Sequence, residues 1–141
     1  MNNPLVSVLI ANYNNEIFIS ECINSIRKQT YKNIEIIFFD DHSKDNSIDE
    51  IKNFEEVKII QNKIKTKIGS FNQMKAFEET YKLSDGKIIL LLDSDDYLHK
   101  NKIEEIVNFF NNNKDAKIVF DYPIITKDEK FTNIKKKKKL F

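Results

Sequence analysis

A chain of 141 residues with 40% hydrophobic and 32% charged side chains is long enough to bury one core and has an ordinary globular composition. Its net charge of +1 conceals a split: seven lysines against Asp128 and Glu129 make residues 127–141 +5, and residues 1–126 carry −4, so the body has no basic footprint for nucleic acid. A single cysteine, Cys22, excludes an internal disulfide and a cysteine-rich zinc site, while the lack of a signal peptide or membrane-length apolar run points to the cytoplasm.

Leu5–Ala11 is mostly apolar and predicts a first, central strand. It breaks at Asn12-Tyr13-Asn14-Asn15, a run that supplies an N-cap for a helix. In that helix Phe18, Ile19, Cys22, Ile23 and Ile26 keep helical spacing through about Gln29, with Cys22 a buried small side chain. Ile34–Phe39 reads as a second buried strand ending in Asp40-Asp41-His42-Ser43. Asp45 or Ser47 then caps a helix whose apolar face is Ile48, Ile51 and Phe54, and Val57–Ile60 makes a short third strand. The loop 61–69 is basic, with Lys63, Lys65 and Lys67, and opens a helix with Phe71, Met74, Phe77, Tyr81 and Leu83 inward. Asp85-Gly86 ends it, glycine being suited to the left-handed position after a helix.

Ile88–Leu92 runs apolar without alternation, which predicts a strand buried on both faces, and stops at Asp93-Ser94-Asp95-Asp96. A helix follows with Ile103, Ile106, Val107 and Phe110 at i, i+3, i+4 and i+7, stopped by Asn111–Asn113. Ile118–Phe120 predicts a fifth strand, Ile124–Thr132 a weak hairpin about Asp128, and residues 127–141 a basic, frayed tail beyond a domain of residues 1–126. Strand–helix alternation of this kind gives an α/β fold: a doubly wound, mostly parallel, Rossmann-like sheet with helices on both faces. In such a sheet the segments after strands one, two and four open on one edge, where open α/β folds bind ligands.

Three neighbouring carboxylates repel one another unless a cation or a hydrogen-bond network offsets the charge. Asp93 and Asp95 therefore fit a hard divalent cation, Mg2+ or Mn2+, shared with phosphate oxygens; they also fit a solvated loop that caps the next helix. With only Gly69 and Gly86 available, neither a dinucleotide fingerprint nor a P-loop can be written. His42 and His99 each lie beside a carboxylate loop, but no serine sits on a nucleophile elbow, and His42 reads as a loop residue.

Val6-Ser-Val-Leu-Ile-Ala-Asn-Tyr-Asn14, Ile36-Ile-Phe-Phe-Asp-Asp-His-Ser43 and Leu91-Leu-Asp-Ser-Asp-Asp96, in that order, resemble the nucleotide-binding half of a family 2, GT-A fold, inverting glycosyltransferase over roughly residues 4–122. The resemblance implies a nucleotide-diphospho-sugar donor, UDP-linked, a divalent metal, and a saccharide acceptor of a cell-surface polysaccharide. It implies that Tyr13 stacks on the base, that Ala11 touches it through backbone, and that Asp41 accepts from its imide N–H with Asp40 supporting the loop. Asp93 would bind ribose or metal, and Asp95 would be the metal ligand. The family's phosphate-side arginine has no counterpart in Gly69-Ser-Phe-Asn-Gln-Met-Lys75, where Lys65, Lys67 or Lys75 stands in. The family's catalytic base belongs to an acceptor half, and neither Asp121 nor Asp128 carries its context. A non-catalytic nucleotide-sugar-binding module is thus an alternative. A phospho-receiver domain ranks lower, since strand one ends in Asn-Tyr-Asn rather than an acidic pair. The Lys135–Lys139 run is either solvated or a loose contact with anionic lipid at the inner face of the membrane.

Overall fold

The computed structural model describes residues 3–63, 69–120, 126–127 and 130–131. Four strands alternate with four helices: β1 (Val6–Asn12), α1 (Glu16–Arg27), β2 (Ile34–Asp40), α2 (Ser47–Ile51), β3 (Val57–Gln61), α3 (Gly69–Lys82), β4 (Ile88–Asp93) and α4 (Lys102–Asn112). The strands form one parallel sheet in the order β3-β2-β1-β4. A short antiparallel pair, β5 (Thr126–Lys127) with β6 (Lys130–Phe131), falls within the span expected for a hairpin; Asp128, Asp121 and the Lys135–Lys139 run lie outside the described residues. No described helix is long and apolar enough to cross a membrane.

Alternation along the strands divides the core. Val6, Val8, Ile10, Ile36, Phe38, Ile88 and Leu92 pack with Ile19, Cys22, Ile23 and Ile26 of α1, Ile51 of α2, and Ile103 and Val107 of α4. Leu9, Ile37 and Phe39 point to the other face and are fully buried where α3 packs over β1 and β2. Helices therefore cover both faces, three on one and α3 on the other.

Several expectations change. The inward line of α3 is Asn72, Ala76 and Thr80, all buried, while Met74 (72% exposed), Tyr81 (62%) and Leu83 (51%) point outward, and the side chain of Phe71 lies outside the described residues. Small side chains let the helix lie close to the sheet, and Thr80 returns its hydroxyl to the Ala76 carbonyl at 2.8 Å. β4 is not buried on both faces: Leu91 is 53% exposed, because β4 is the edge strand and α3 covers β1 and β2 instead. Residues 118–120 are apolar but form no strand; with no ladder partner among the described residues, Ile118 and Phe120 stay exposed. Phe18 likewise lies outward on α1, 40% exposed.

Gly86 is not left-handed. A Cβ there would lie 2.3 Å from the Ser7 Oγ and 2.6 Å from the Ser7 nitrogen, so the residue is glycine because β1 passes against it. Gly86 N donates to Ser7 Oγ (2.9 Å), and Ser7 Oγ donates to Glu35 (2.5 Å). Glu35 also accepts from Asp85 N (2.7 Å) and Lys58 Nζ (2.8 Å). One carboxylate thus ties together the starts of all four strands at the amino edge of the sheet.

Candidate functional site

At the opposite edge the strand ends are in register: Asn12 stands beside Asp40, and Ala11 beside Asp93. The tips that carry Tyr13, Asp41 and Asp93 are therefore neighbours, as a parallel sheet requires. Each tip is then shaped by side chains from the next. Asn12 Nδ2 donates to Asp40 Oδ1 (2.9 Å) and to Ser43 Oγ (3.1 Å), and Asp40 Oδ2 accepts from Ser43 N (3.0 Å). Asp40 is buried, with both carboxylate oxygens engaged by protein. Asn14 N donates to Ser43 Oγ (2.9 Å), and Asn14 Oδ1 accepts from Lys44 N (2.7 Å). Asn14 (φ 54°) and His42 (φ 62°) take left-handed backbone, a conformation that costs non-glycine residues roughly 1–2 kcal/mol. Both occur where these two loops interlock. His42 Nε2 lies 2.7 Å from Lys44 Nζ, two residues along the same exposed loop, which fits a loop residue rather than a base.

The start of α1 is capped across the loops, whereas that of α2 is capped locally by Asp45. Asn15 occupies the N-cap position of α1 without capping it; its Nδ2 donates to Ser94 Oγ (2.9 Å) instead. Asp45 Oδ2 accepts from Glu16 N at the start of α1 (3.0 Å), while its Oδ1 accepts from Ser47 N at the start of α2 (3.0 Å). Burial raises the Asp45 carboxyl, but the hydrogen bonds from Ser47 and Glu16 outweigh it and hold the group below the usual carboxylate range. Glu16 in turn accepts from Asn46 N (2.5 Å).

Asp41 is buried at the end of β2, and its Oδ1 accepts from Asn62 Nδ2 (2.7 Å). Asn62 is anchored by its own N–H to the Asp40 carbonyl (2.8 Å) and accepts from Lys75 Nζ (3.3 Å). Lys75 thus reaches the Asp41 side of the crevice; Lys65 and Lys67 lie outside the described residues. Tyr13 is 43% exposed at the β1 tip, and the Ala11 carbonyl accepts from Ser94 N (3.1 Å).

α1 pins the segment after β4. Cys22 Sγ lies 3.9 Å from the Asp93 carbonyl, Ser25 Oγ accepts from Leu98 N (3.0 Å), and the fully buried Gln29 accepts from Ile103 N (3.0 Å) while donating to the His99 carbonyl (2.8 Å). Asp93 Oδ1 accepts from Gln73 Nε2 of α3 (2.7 Å). Burial, then the charges of Asp95 and Asp93, push the Asp96 carboxyl above its ordinary value. Burial first, and then Asp96, Asp95 and Asp93, push the Cys22 thiol up to about 12. The three carboxylates therefore concentrate negative potential at this tip. Among the described residues no three His, Cys, Asp or Glu side chains form a ready metal cage. Asn62, Gln73 and Ser94 carry no local sequence signal of a site, because what marks them is a partner 20 or more residues away.

The Glycosyl transferase family 2 model matches residues 7–140. The UDP-Glc:alpha-D-GlcNAc-diphosphoundecaprenol beta-1,3-glucosyltransferase WfgD of Escherichia coli is 34% identical over 125 residues, covering 89% of this chain and 48% of WfgD. S. aureus TarS, solved in complex with UDP-GlcNAc, superposes with a TM-score of 0.67 at 25% identity, over 78% of this chain and 32% of that one. The Pyrobaculum calidifontis mannosyltransferase PcManGT, solved with GDP-Man and Mn2+, shares the fold at a TM-score of 0.64 and 18% identity, over 77% of this chain and 32% of its own. The chain spans from 18% to 48% of the length of the curated relatives it matches.

Proposed function

The chain belongs to glycosyltransferase family 2, and on that premise we propose that it forms the donor side of a metal-dependent, inverting transferase that uses a UDP-linked sugar. The acceptor is a saccharide of a cell-surface polysaccharide. The observation that carries this reading is the register of the strand ends, which makes neighbours of an aromatic ring, a buried carboxylate and an acidic cluster. Each matches one part of a uridine diphosphate. Tyr13 offers a face for the base, Asp41 an acceptor for an imide N–H, and Asp93 an acceptor for ribose hydroxyls. Ala11 meets the base through its backbone, and Asp40, engaged by Asn12 and Ser43, holds the loop in shape.

A divalent cation fits the donor set at the β4 tip. Mg2+ and Mn2+ are held by one or two carboxylates with phosphate oxygens and water completing the shell, and Asp95 with Asp93 supplies that number. The Asp96 carboxyl is raised by burial first and then by the charges of Asp95 and Asp93, and a cation would offset the second of these. Bound there, the ion supplies Lewis-acid stabilisation of the departing diphosphate. TarS with UDP-GlcNAc and WfgD with its UDP-Glc specificity support a uridine donor; PcManGT with Mn2+ supports the metal.

The test is calorimetry of UDP, GDP and UDP-sugars with and without Mn2+, on wild type and Asp95→Asn. We expect UDP to bind in preference to GDP, with a metal-dependent increment that Asp95→Asn removes while the fold survives. Equal affinity for the two nucleotides, or an increment untouched in the variant, overturns the respective assignment.

A further inference from the structure

α3 is placed to act on both acidic tips at once. At 100° per residue, Gln73 and Lys75 fall on opposite flanks of the inward line formed by Asn72, Ala76 and Thr80. The helix packs over β1 and β2, so one flank leans toward β4 and the other toward β3. The contacts follow that geometry: Gln73 Nε2 reaches Asp93 Oδ1 at 2.7 Å, and Lys75 Nζ reaches Asn62, which holds Asp41.

We propose that Gln73 is a positioning residue that fixes the Asp93 carboxylate for ligand, occupying Oδ1 and directing Oδ2 into the crevice. This role rests on the donor-binding reading. The chemistry of the donor matters. An amide orients a carboxylate without neutralising it, whereas a lysine or arginine would compete with a metal ion for the same charge. A neutral donor therefore suits a carboxylate whose negative charge is needed by the ligand. The tip gains direction while no positive charge is placed against Asp93. Asp41 is served in the same way by the neutral amide of Asn62, so each of the two carboxylates has one oxygen fixed by an uncharged donor.

The deciding experiment is a double-mutant cycle read by calorimetric UDP affinity in Mn2+, using Gln73→Ala, Gln73→Lys, Asp93→Asn and the paired variants. Gln73→Ala is expected to weaken UDP about tenfold, the scale of one hydrogen bond to a charged group. Gln73→Lys is expected to lower the Mn2+-dependent increment while leaving metal-free UDP affinity within about twofold. In the Asp93→Asn background neither change moves the affinity beyond about twofold, because Gln73 acts through Asp93. A side-chain amide signal of Gln73 that shifts on Asp93→Asn reports the same contact without ligand. Fold-changes that multiply across the cycle, or a silent Gln73→Ala in a protein that binds UDP, overturn the positioning role alone. Wild-type protein that binds no UDP overturns the donor-binding reading and this role together.

Discussion

In the proposed donor complex Tyr13 and Asp41 divide the work of recognising a base, and they should fail differently. Stacking on an aromatic ring is worth about 1–3 kcal/mol and is indifferent to base identity. Tyr13→Ala should therefore weaken uridine and guanosine diphosphates alike, whereas Asp41→Ala should chiefly narrow the gap between them. Calorimetry across the bases separates the outcomes, and an equal loss for all bases in Asp41→Ala would make that residue structural. Gly86 sets a different kind of limit. A methyl group there would sit 2.3 Å from Ser7 Oγ and 2.6 Å from the Ser7 backbone nitrogen, and backbone cannot swing aside. Gly86→Ala should lower the unfolding free energy by about 1–3 kcal/mol, the usual range for overpacking, as read by urea denaturation. Its sequence context, after a helix and before a strand, suggests a left-handed cap. The actual reason, the passage of β1, is 79 residues away and leaves no local trace.

At the scale of elements, the amino edge of the sheet depends on one carboxylate. Burial would raise Glu35, but hydrogen bonds from Lys58, Ser7 and Asp85 hold it below its ordinary value of 4.5. A depressed carboxyl stabilises the fold above its unfolded value and loses that contribution as pH falls through the folded one. Glu35→Gln should thus cost about 1–3 kcal/mol near neutrality, the worth of hydrogen bonds to a charged group. Denaturant titrations at neutral and acidic pH should show the gap from wild type closing on the acid side; a pH-independent gap would mean that packing, not charge, is lost. The strands were legible because a short apolar run that stops at polar residues has little place to go except a covered sheet. The rotation of α3 was not. Phe71, Met74, Phe77 and Tyr81 keep a helical period as well as Asn72, Ala76 and Thr80 do, and periodicity alone ranks the larger apolar set first. In the observed rotation the smaller side chains Asn72, Ala76 and Thr80 face the sheet, and Gln73 and Lys75 on the flanks contact Asp93 and Asn62. Residues 118–120 fail for a related reason: apolar character predicts a strand, but only a ladder partner makes one.

For the molecule as a whole, the donor-side carboxylates carry an implication for turnover. Inverting transfer needs a base that takes the acceptor's proton, and Asp93 and Asp95 are engaged by ribose and metal in the proposed complex. Purified residues 1–141 should therefore bind a UDP-sugar in Mn2+ while transferring it slowly or not at all to a saccharide. Rapid product formation in a radiolabelled-sugar assay would show that this chain, or a second copy of it, supplies the base. The convergence of the strand tips was legible because polar clusters follow β1, β2 and β4 alike, and a parallel sheet brings them to one edge. The neutral amides that orient the carboxylates were not, since asparagine and glutamine are ordinary surface residues until their partners are known.

The knot around Glu35 lies at the starts of the strands, and Tyr13, Asp41 and Asp93 at their ends, about five residues or roughly 17 Å further on. Perturbations that far apart, with no shared partner, act independently. A change at Tyr13 or Asp93 and a change in the Glu35 knot should then add in free energy rather than compound. The two ends of one sheet can thus be altered separately, the amino edge setting the pairing of the strands and the carboxyl edge the chemistry that their tips present.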